Sequence, residues 1–294
     1  MRLVRSFFRA LQWMSPAVAA RLAERLFFTP HRSRLTPAMR AVLDQGKAFQ
    51  VDVEGQRIVG WSWGAGPAVY LVHGWGSRGG RLSAYVQPLV DAGFRAIAFD
   101  AIGHGASGGR MSSMPQMART LRAVVEANGP AHGVVAHSLG ASVTTLTMER
   151  GLAVRRAVFV APSADPVGYT LLWARQLGLR PDVIDRLRAN SQQRIGFSWS
   201  DLDIVALARR RTTPLLVIHD DTDDVIPWAD GNAIAGAWPG SRLVTTHGLG
   251  HSEIVRAPDI VAQSVAFLAN HEGSDAASAR TPSATRSANA MIVK

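Results

Sequence analysis

The sequence predicts an α/β fold, a mainly parallel sheet with helices on both faces, and three observations carry that reading. Strand-like apolar runs alternate with helical stretches from about Phe49 onward, each run closes on a polar or glycine-rich loop, and one interval is far too long for a single connecting helix. Strand, helix, strand in repetition gives parallel neighbours covered on both sides. Sites in such sheets form beyond the C-terminal strand ends. At 294 residues the chain is long enough to bury one large core.

Residues 1–47 read as a basic, amphipathic helical arm. Eight arginines and Lys47 stand there against Glu24 and Asp44, a surplus of seven positive charges within a formal net charge of +10. The opening MRLVRSFFRALQWMSPAVAA has the early arginines and small residues at Ala17 and Ala19 that a leader peptide would show, but Arg9, Gln12 and Pro16 interrupt its apolar run. Ser15 followed by Pro16 predicts an N-cap and a first helical position, and in the helix beyond them Val18, Leu22 and Leu26 share a face. The expectation is two short retained helices packed on the body, with contact to a membrane surface as the alternative. No run is long and apolar enough to span a bilayer, and the expected location is cytoplasmic.

The body covers 48–270. It is nearly neutral, without the basic face a nucleic-acid binder needs, and the absence of cysteine removes disulfides and thiolate metal sites. QVDVEG and RIVGWSW predict a hairpin, followed by strands at AVYLVHG, RAIAFD, GVVAHS, AVFVAP, PLLVIHD and RLVTTH, with helical patterns such as LSAYVQPLVDAG and MARTLRAVVEANG between them. Between AVFVAP and PLLVIHD, residues 163–213 exceed a connection plus one helix. An insertion at that end of the sheet predicts a small helical cap, with Trp173, Phe197 and Trp199 mostly forming its own core. The tail 271–294, rich in Ala, Ser, Thr and Arg, has the composition of a disordered segment.

The chemistry starts at VVAHSLGAS, Val134–Ser142. A buried strand that turns straight into a helix holds its apex residue in a strained conformation, with small neighbours two positions either side. Ala136 and Gly140 flank Ser138 in this way, so the serine hydroxyl is expected to stand exposed at a helix N-terminus. An ordinary strand-to-helix junction with a surface serine is the plainer reading of five residues alone. The loop HGWGSRGG, His73–Gly80, admits two readings. Gly74, Gly76 and Gly79 match a dinucleotide-binding G-x-G-x-x-G with Asp100 as the ribose-binding acid, although Trp75 is bulky where a pyrophosphate would need close approach. In the other reading the backbone N–H of Trp75 faces Ser138 and, with the N–H of Leu139, forms an oxyanion hole. The later loops favour the second. HDDTDDVIP, His219–Pro227, places four carboxylates in five positions, and THGLGHSE closes the next strand with two histidines. A serine hydroxyl needs a histidine to take its proton and a carboxylate to orient that histidine, and the chain supplies them in the order Ser, Asp, His.

Taken in order over about 48–270, HGWG, FDAIGHGAS, AHSLGA, HDDTDDVIP and GLGH resemble the α/β-hydrolase superfamily, and within it the serine esterases and lipases. The resemblance implies a triad of Ser138, Asp223 and His251, with Asp224 the second choice for the acid. Asp220 stands where relatives carry glycine, and Ala136 replaces their usual elbow glycine. His247, His137, Asp100 and His104 read as structural. The activity implied is that of a hydrolase acting on a small-molecule carboxylic ester through an acyl-enzyme on Ser138, with no metal or organic cofactor. A thioesterase, acyltransferase, lactonase or C–C hydrolase would use the same triad. Haloalkane dehalogenases and epoxide hydrolases need a carboxylate where Ser138 stands. A receptor whose triad only binds ligand is the alternative outside enzymology.

Overall fold

The computed structural model describes residues 2–270; the predicted tail lies outside the described residues. The chain opens with α1 (Arg2–Met14), α2 (Pro16–Phe27) and α3 (Pro37–Leu43). Ser15 and Thr36 cap the second and third helices by accepting from the N–H of Val18 and Met39, each with proline at the first helical position. The hairpin β1 (Lys47–Val53) and β2 (Gln56–Trp63) turns through Glu54 and Gly55, whose φ values of 55° and 71° suit a two-residue hairpin loop.

The alternating part then runs β3 (Ala68–Val72), a 3₁₀ segment (Gly79–Tyr85), α4 (Val86–Asp91), β4 (Arg95–Phe99), α5 (Met114–Asn128), β5 (Ala131–His137), α6 (Leu139–Glu149) and β6 (Val154–Val160). Between β6 and β7 lie α7 (Pro166–Gln176), α8 (Pro181–Ile195), a 3₁₀ turn (Trp199–Leu202) and α9 (Ile204–Ala208). The chain continues with β7 (Leu215–Asp220), α10 (Trp228–Ala237), β8 (Arg242–Thr246), α11 (Gly250–Glu253) and α12 (Pro258–Ala269). All eight predicted strands join one sheet in the order β1-β2-β4-β3-β5-β6-β7-β8. β1 and β2 are antiparallel additions at one edge, and the other six strands are parallel.

Side-chain alternation explains why both faces are covered. Tyr70, Val72, Ile97, Phe99, Val134 and Phe159 point to one face, under α5, α6 and α9. Their neighbours Val69, Leu71, Ala96, Ala98, Val135 and Val158 point to the other, under α4 and α12. The chain reverses its direction of travel across the sheet between β3 and β5, which are neighbours. The crevice above such a switch point is where ligands enter open α/β sheets, and the His73–Gly76 loop and Ser138 both lie there.

The arm departs from the sequence expectation. It packs chiefly on the insertion rather than on the body: Phe8, Ala19, Ala20 and Ala23 are buried against Ala174, Leu177, Val183 and Leu187. Gln12, which reads in the sequence as a polar interruption, is the docking residue. Its amide donates to the Gly178 carbonyl at 3.0 Å and accepts from the Arg180 N–H at 2.8 Å. Glu24 adds an ion pair to Arg194 at 2.7 Å. Arm and insertion thus form one helical layer over the C-terminal ends of β5 and β6.

Candidate active site

Ser138 stands between β5 and α6 with φ 56° and ψ −128°, a left-handed conformation unfavourable for any residue with a Cβ. Its N–H donates to Val160 O at 3.0 Å, and its carbonyl accepts from Ala141 N. Small neighbours make the turn possible. A Cβ on Gly140 would come within 2.5 Å of the Val72 carbonyl oxygen, so only glycine lets α6 start this close to β3. Gly74 has a second reason to be glycine. A Cβ there would lie 2.8 Å from Ser138 Cβ and 3.2 Å from Ser138 Oγ, so the bare backbone of the loop approaches the serine. The sequence offers that glycine equally to a phosphate loop; the distance assigns it to Ser138.

The loop is clamped from beneath by His73. Its Nδ1 donates to Gly74 O at 2.7 Å and its Nε2 accepts from Ala101 N at 3.0 Å, joining the loops after β3 and β4. Burial, opposed by the bond to Gly74 O and reinforced by nearby Arg78, pushes the His73 imidazole down to about 4 and keeps it neutral. The N–H groups of Trp75 and Leu139 have no acceptor among the described residues.

Asp100 and His104 take structural places. The two Asp100 oxygens accept from Gly79 N and Ala106 N, each at 2.7 Å, and its carbonyl accepts from Ser107 Oγ. Both oxygens of this carboxylate are engaged and it is buried away from any ribose, and Gly79, the third glycine of the dinucleotide pattern, is consumed in holding it. His104 is fully buried, with Nδ1 bonded to Ile102 O; burial and the neighbouring His73 push it down to about 3.

The structure sorts the four carboxylates of the loop after β7. Asp223 is buried, its Oδ1 accepting from the N–H groups of Val225 and Ile226 and its Oδ2 lying 2.8 Å from His251 Nδ1. His219 Nε2 lies 3.4 Å from the same Oδ2 and 3.0 Å from Ile226 O. Burial works to raise the Asp223 carboxyl, but bonds from His219, His251 and Ile226 N–H overcome it and hold the group well below the usual carboxylate range. Asp224 is exposed and Asp221 pairs with the exposed His247 at 2.7 Å.

Asp220, the departure from the family pattern, is completely buried. Its Oδ1 accepts from Thr222 N and Oγ1, and its Oδ2 from Thr246 Oγ1 at 2.7 Å and Leu249 N at 3.1 Å. Burial again opposes ionisation and is outweighed by these bonds, which hold Asp220 below the carboxylate range. It therefore ties the loop carrying Asp223 to the loop carrying His251. Among four equivalent carboxylates, no sequence signal separates this role from its neighbours.

His251 is partly exposed on α11. Its carbonyl lies 3.1 Å from His137 Nε2, and the two rings lie 4.7 Å apart. Burial, with the adjacent His251 adding to it, pushes His137 down to about 3, so it stays a neutral donor beneath the site. Ser138 and His251 both line a cavity of about 390 Å³, whose other walls include Phe27 and Phe28 of the arm, Met114, and Tyr169, Trp199 and Leu202 of the insertion. A second cavity of about 260 Å³ reaches the same Ser138 and His251 from the other side of Trp75 and is lined by Ser33, Arg34, Thr36, Ser77 and Arg81. Among the described residues, no cluster of three His, Asp or Glu side chains is arranged to hold a metal ion.

A model of the alpha/beta hydrolase family matches residues 69–264. The non-heme chloroperoxidase of Kitasatospora aureofaciens is 41% identical over 54 residues, 18% of this chain and 20% of that protein, so the match spans about a fifth of the relative. A bromoperoxidase from Bacillus anthracis superposes with TM-score 0.61 at 17% identity, over 76% of this chain and 99% of its own. An esterase from Exiguobacterium antarcticum superposes with TM-score 0.60 at 17% identity, over 77% and 100%. At these identities the superpositions establish a shared fold.

Proposed function

From the premise that this chain belongs to the alpha/beta hydrolase family, we propose that it hydrolyses carboxylic esters through an acyl-enzyme on Ser138. One observation carries the proposal: a serine held in a left-handed turn and a histidine bonded to a buried carboxylate line the same apolar cavity. With Nδ1–H donated to Asp223, the Nε2 of His251 is the unprotonated nitrogen. It takes the Ser138 proton as Oγ attacks the ester carbonyl, and the N–H groups of Trp75 and Leu139 receive the oxyanion. When the C–O bond to the alcohol breaks, His251 returns the proton to the leaving oxygen. Water then attacks the acyl-serine by the same route, releasing the acid and free Ser138.

The two cavities divide the substrate. The larger, lined by Phe28, Met114, Trp199 and Leu202, suits an apolar acyl group; the smaller, where Thr36, Ser77 and Arg81 stand beside Met39 and Trp75, is mixed in character and suits the alcohol and the incoming water. A series of p-nitrophenyl esters of graded acyl length tests this directly. The expected profile rises from acetate to a medium chain and falls once the chain outgrows the cavity. A flat, inactive profile would refute it.

A further inference from the structure

The arm leaves its bulkier apolar face uncovered. α2 buries Ala19, Ala20 and Ala23, while Val18, Leu22 and Leu26, on the adjacent side of the helix, are 48%, 38% and 47% exposed. α1 does the same: Phe8 and Gln12 face the insertion, whereas Leu3, Phe7 and Met14, one stripe at helical spacing, face outward. Of the eleven exposed large apolar side chains among the described residues, eight fall between Leu3 and Leu26. Concentrated apolar exposure of this kind marks an interaction surface.

The charges identify its partner. Arg5, Arg9, Arg21 and Arg25 lie on the same two helices and enter no ion pair among the described residues, and the one acid there, Glu24, is taken by Arg194. On a 100° wheel Arg21 and Arg25 border the Val18, Leu22 and Leu26 face of α2, while on α1 Arg5 and Arg9 lie across the helix from Leu3, Phe7 and Met14, and Trp13, stacked under Arg180, lies between. Valine and leucine on one side of α2 with arginine along its margin is the pattern of a helix that lies in the plane of a lipid interface, and the Leu3, Phe7 and Met14 stripe of α1 adds to the apolar surface. No helix of the described residues is long and apolar enough to cross a membrane, so the contact is with the surface. We propose that α1 and α2 dock the protein on anionic phospholipid bilayers. The same arm contributes Phe27 and Phe28 to the larger cavity, Phe27 stacking on Trp75 and lying tilted against Trp173.

The test is co-flotation of the full chain with vesicles of phosphatidylcholine alone and of phosphatidylcholine mixed equally with phosphatidylglycerol. Binding to the mixed vesicles is expected, with weaker binding to the neutral ones and loss of the difference at high salt as charges are screened. Leu3→Asp with Met14→Asp, both very exposed, should lower partitioning by about tenfold or more. So should the double variant Arg21→Gln, Arg25→Gln. Thermal midpoints and ester turnover in vesicle-free buffer establish that the variants are folded. Absence of binding to either vesicle, or binding that neither variant weakens, would overturn the proposal. So would a concentration-dependent dimer dissociated by Leu3→Asp with Met14→Asp in a protein that ignores vesicles, since a second copy would then cover the face.

Discussion

The floor of the cavity and its roof are built on different physics. In the floor, the loops after β7 and β8 are joined by directional bonds: Asp220 accepts from Thr222, Thr246 and Leu249, Asp223 from Val225, Ile226 and His251, and His137 supports the His251 carbonyl. The roof, α1, α2, α7 and α8, is held by alanine and leucine contacts with few polar ties beyond Gln12 and the Glu24–Arg194 pair. Directional bonds fix angles, which proton transfer needs. Apolar contacts fix proximity and tolerate sliding. Damage to the floor should therefore appear in turnover, and damage to the roof in binding and stability.

The largest separation is expected within a single loop. Asp223→Asn removes the charge that orients His251 and should lower kcat by about 10⁴-fold, while Asp224→Asn, on an exposed neighbour, should change it by no more than about twofold. Turnover of one activated ester decides the matter. A crippling Asp224→Asn beside a harmless Asp223→Asn would move the acid by one residue.

Acid should act next, through the buried histidines. His73, His104 and His137 bind protons at about 4, 3 and 3 in the folded chain and at about 6.5 when unfolded. The unfolded state therefore takes up more protons as pH falls below about 6.5, and stability drops by about 1.4 kcal/mol per pH unit for each histidine. Asp220 and Asp223, held low, contribute stability that persists until pH passes below the ordinary carboxylate value near 4. Between these limits the histidines set the slope. Denaturant titrations at pH 7 and pH 5 should show the loss; equal stabilities would mean that these rings are not buried neutral.

Gly74→Ala comes third. Its Cβ would collide with Ser138 Cβ and crowd the His137 carbonyl, so turnover should fall about 100-fold through misplaced reacting atoms. The smallest effect is expected from the roof. Gln12→Ala, which removes two bonds between arm and insertion, should cost about 1–3 kcal/mol of stability and leave kcat within about twofold. If Gln12→Ala lowered kcat as severely as Gly74→Ala, the division between floor and roof would collapse.

Much of this arrangement is legible in the sequence, for reasons that can be named. Five of the six parallel strands, β3 to β7, are buried on both faces, so they read as continuous apolar runs ending in loops, and the hairpin announces itself at Glu54-Gly55. Ser138 is visible because its strained turn demands small residues at fixed offsets. The partition of the HDDTDDVIP carboxylates is not visible, because depth and partners distinguish Asp220 from Asp223 and neither is a property of residue type. The docking of the arm is hidden for a similar reason. An alanine face beside a leucine face leads one to bury the leucines, yet close approach of α2 to the insertion admits only the small side chains.

The central claim is that Ser138 is a nucleophile activated by His251, and covalent trapping tests it most directly. The protein would be treated with a fluorophosphonate and digested, and the label located by peptide mapping in wild type, Ser138→Ala and His251→Ala. One labelled serine, Ser138, is expected in the wild type, with no label in Ser138→Ala and labelling slowed by several powers of ten in His251→Ala. Label on a different serine, or equal labelling of Ser138 in the absence of His251, would contradict it.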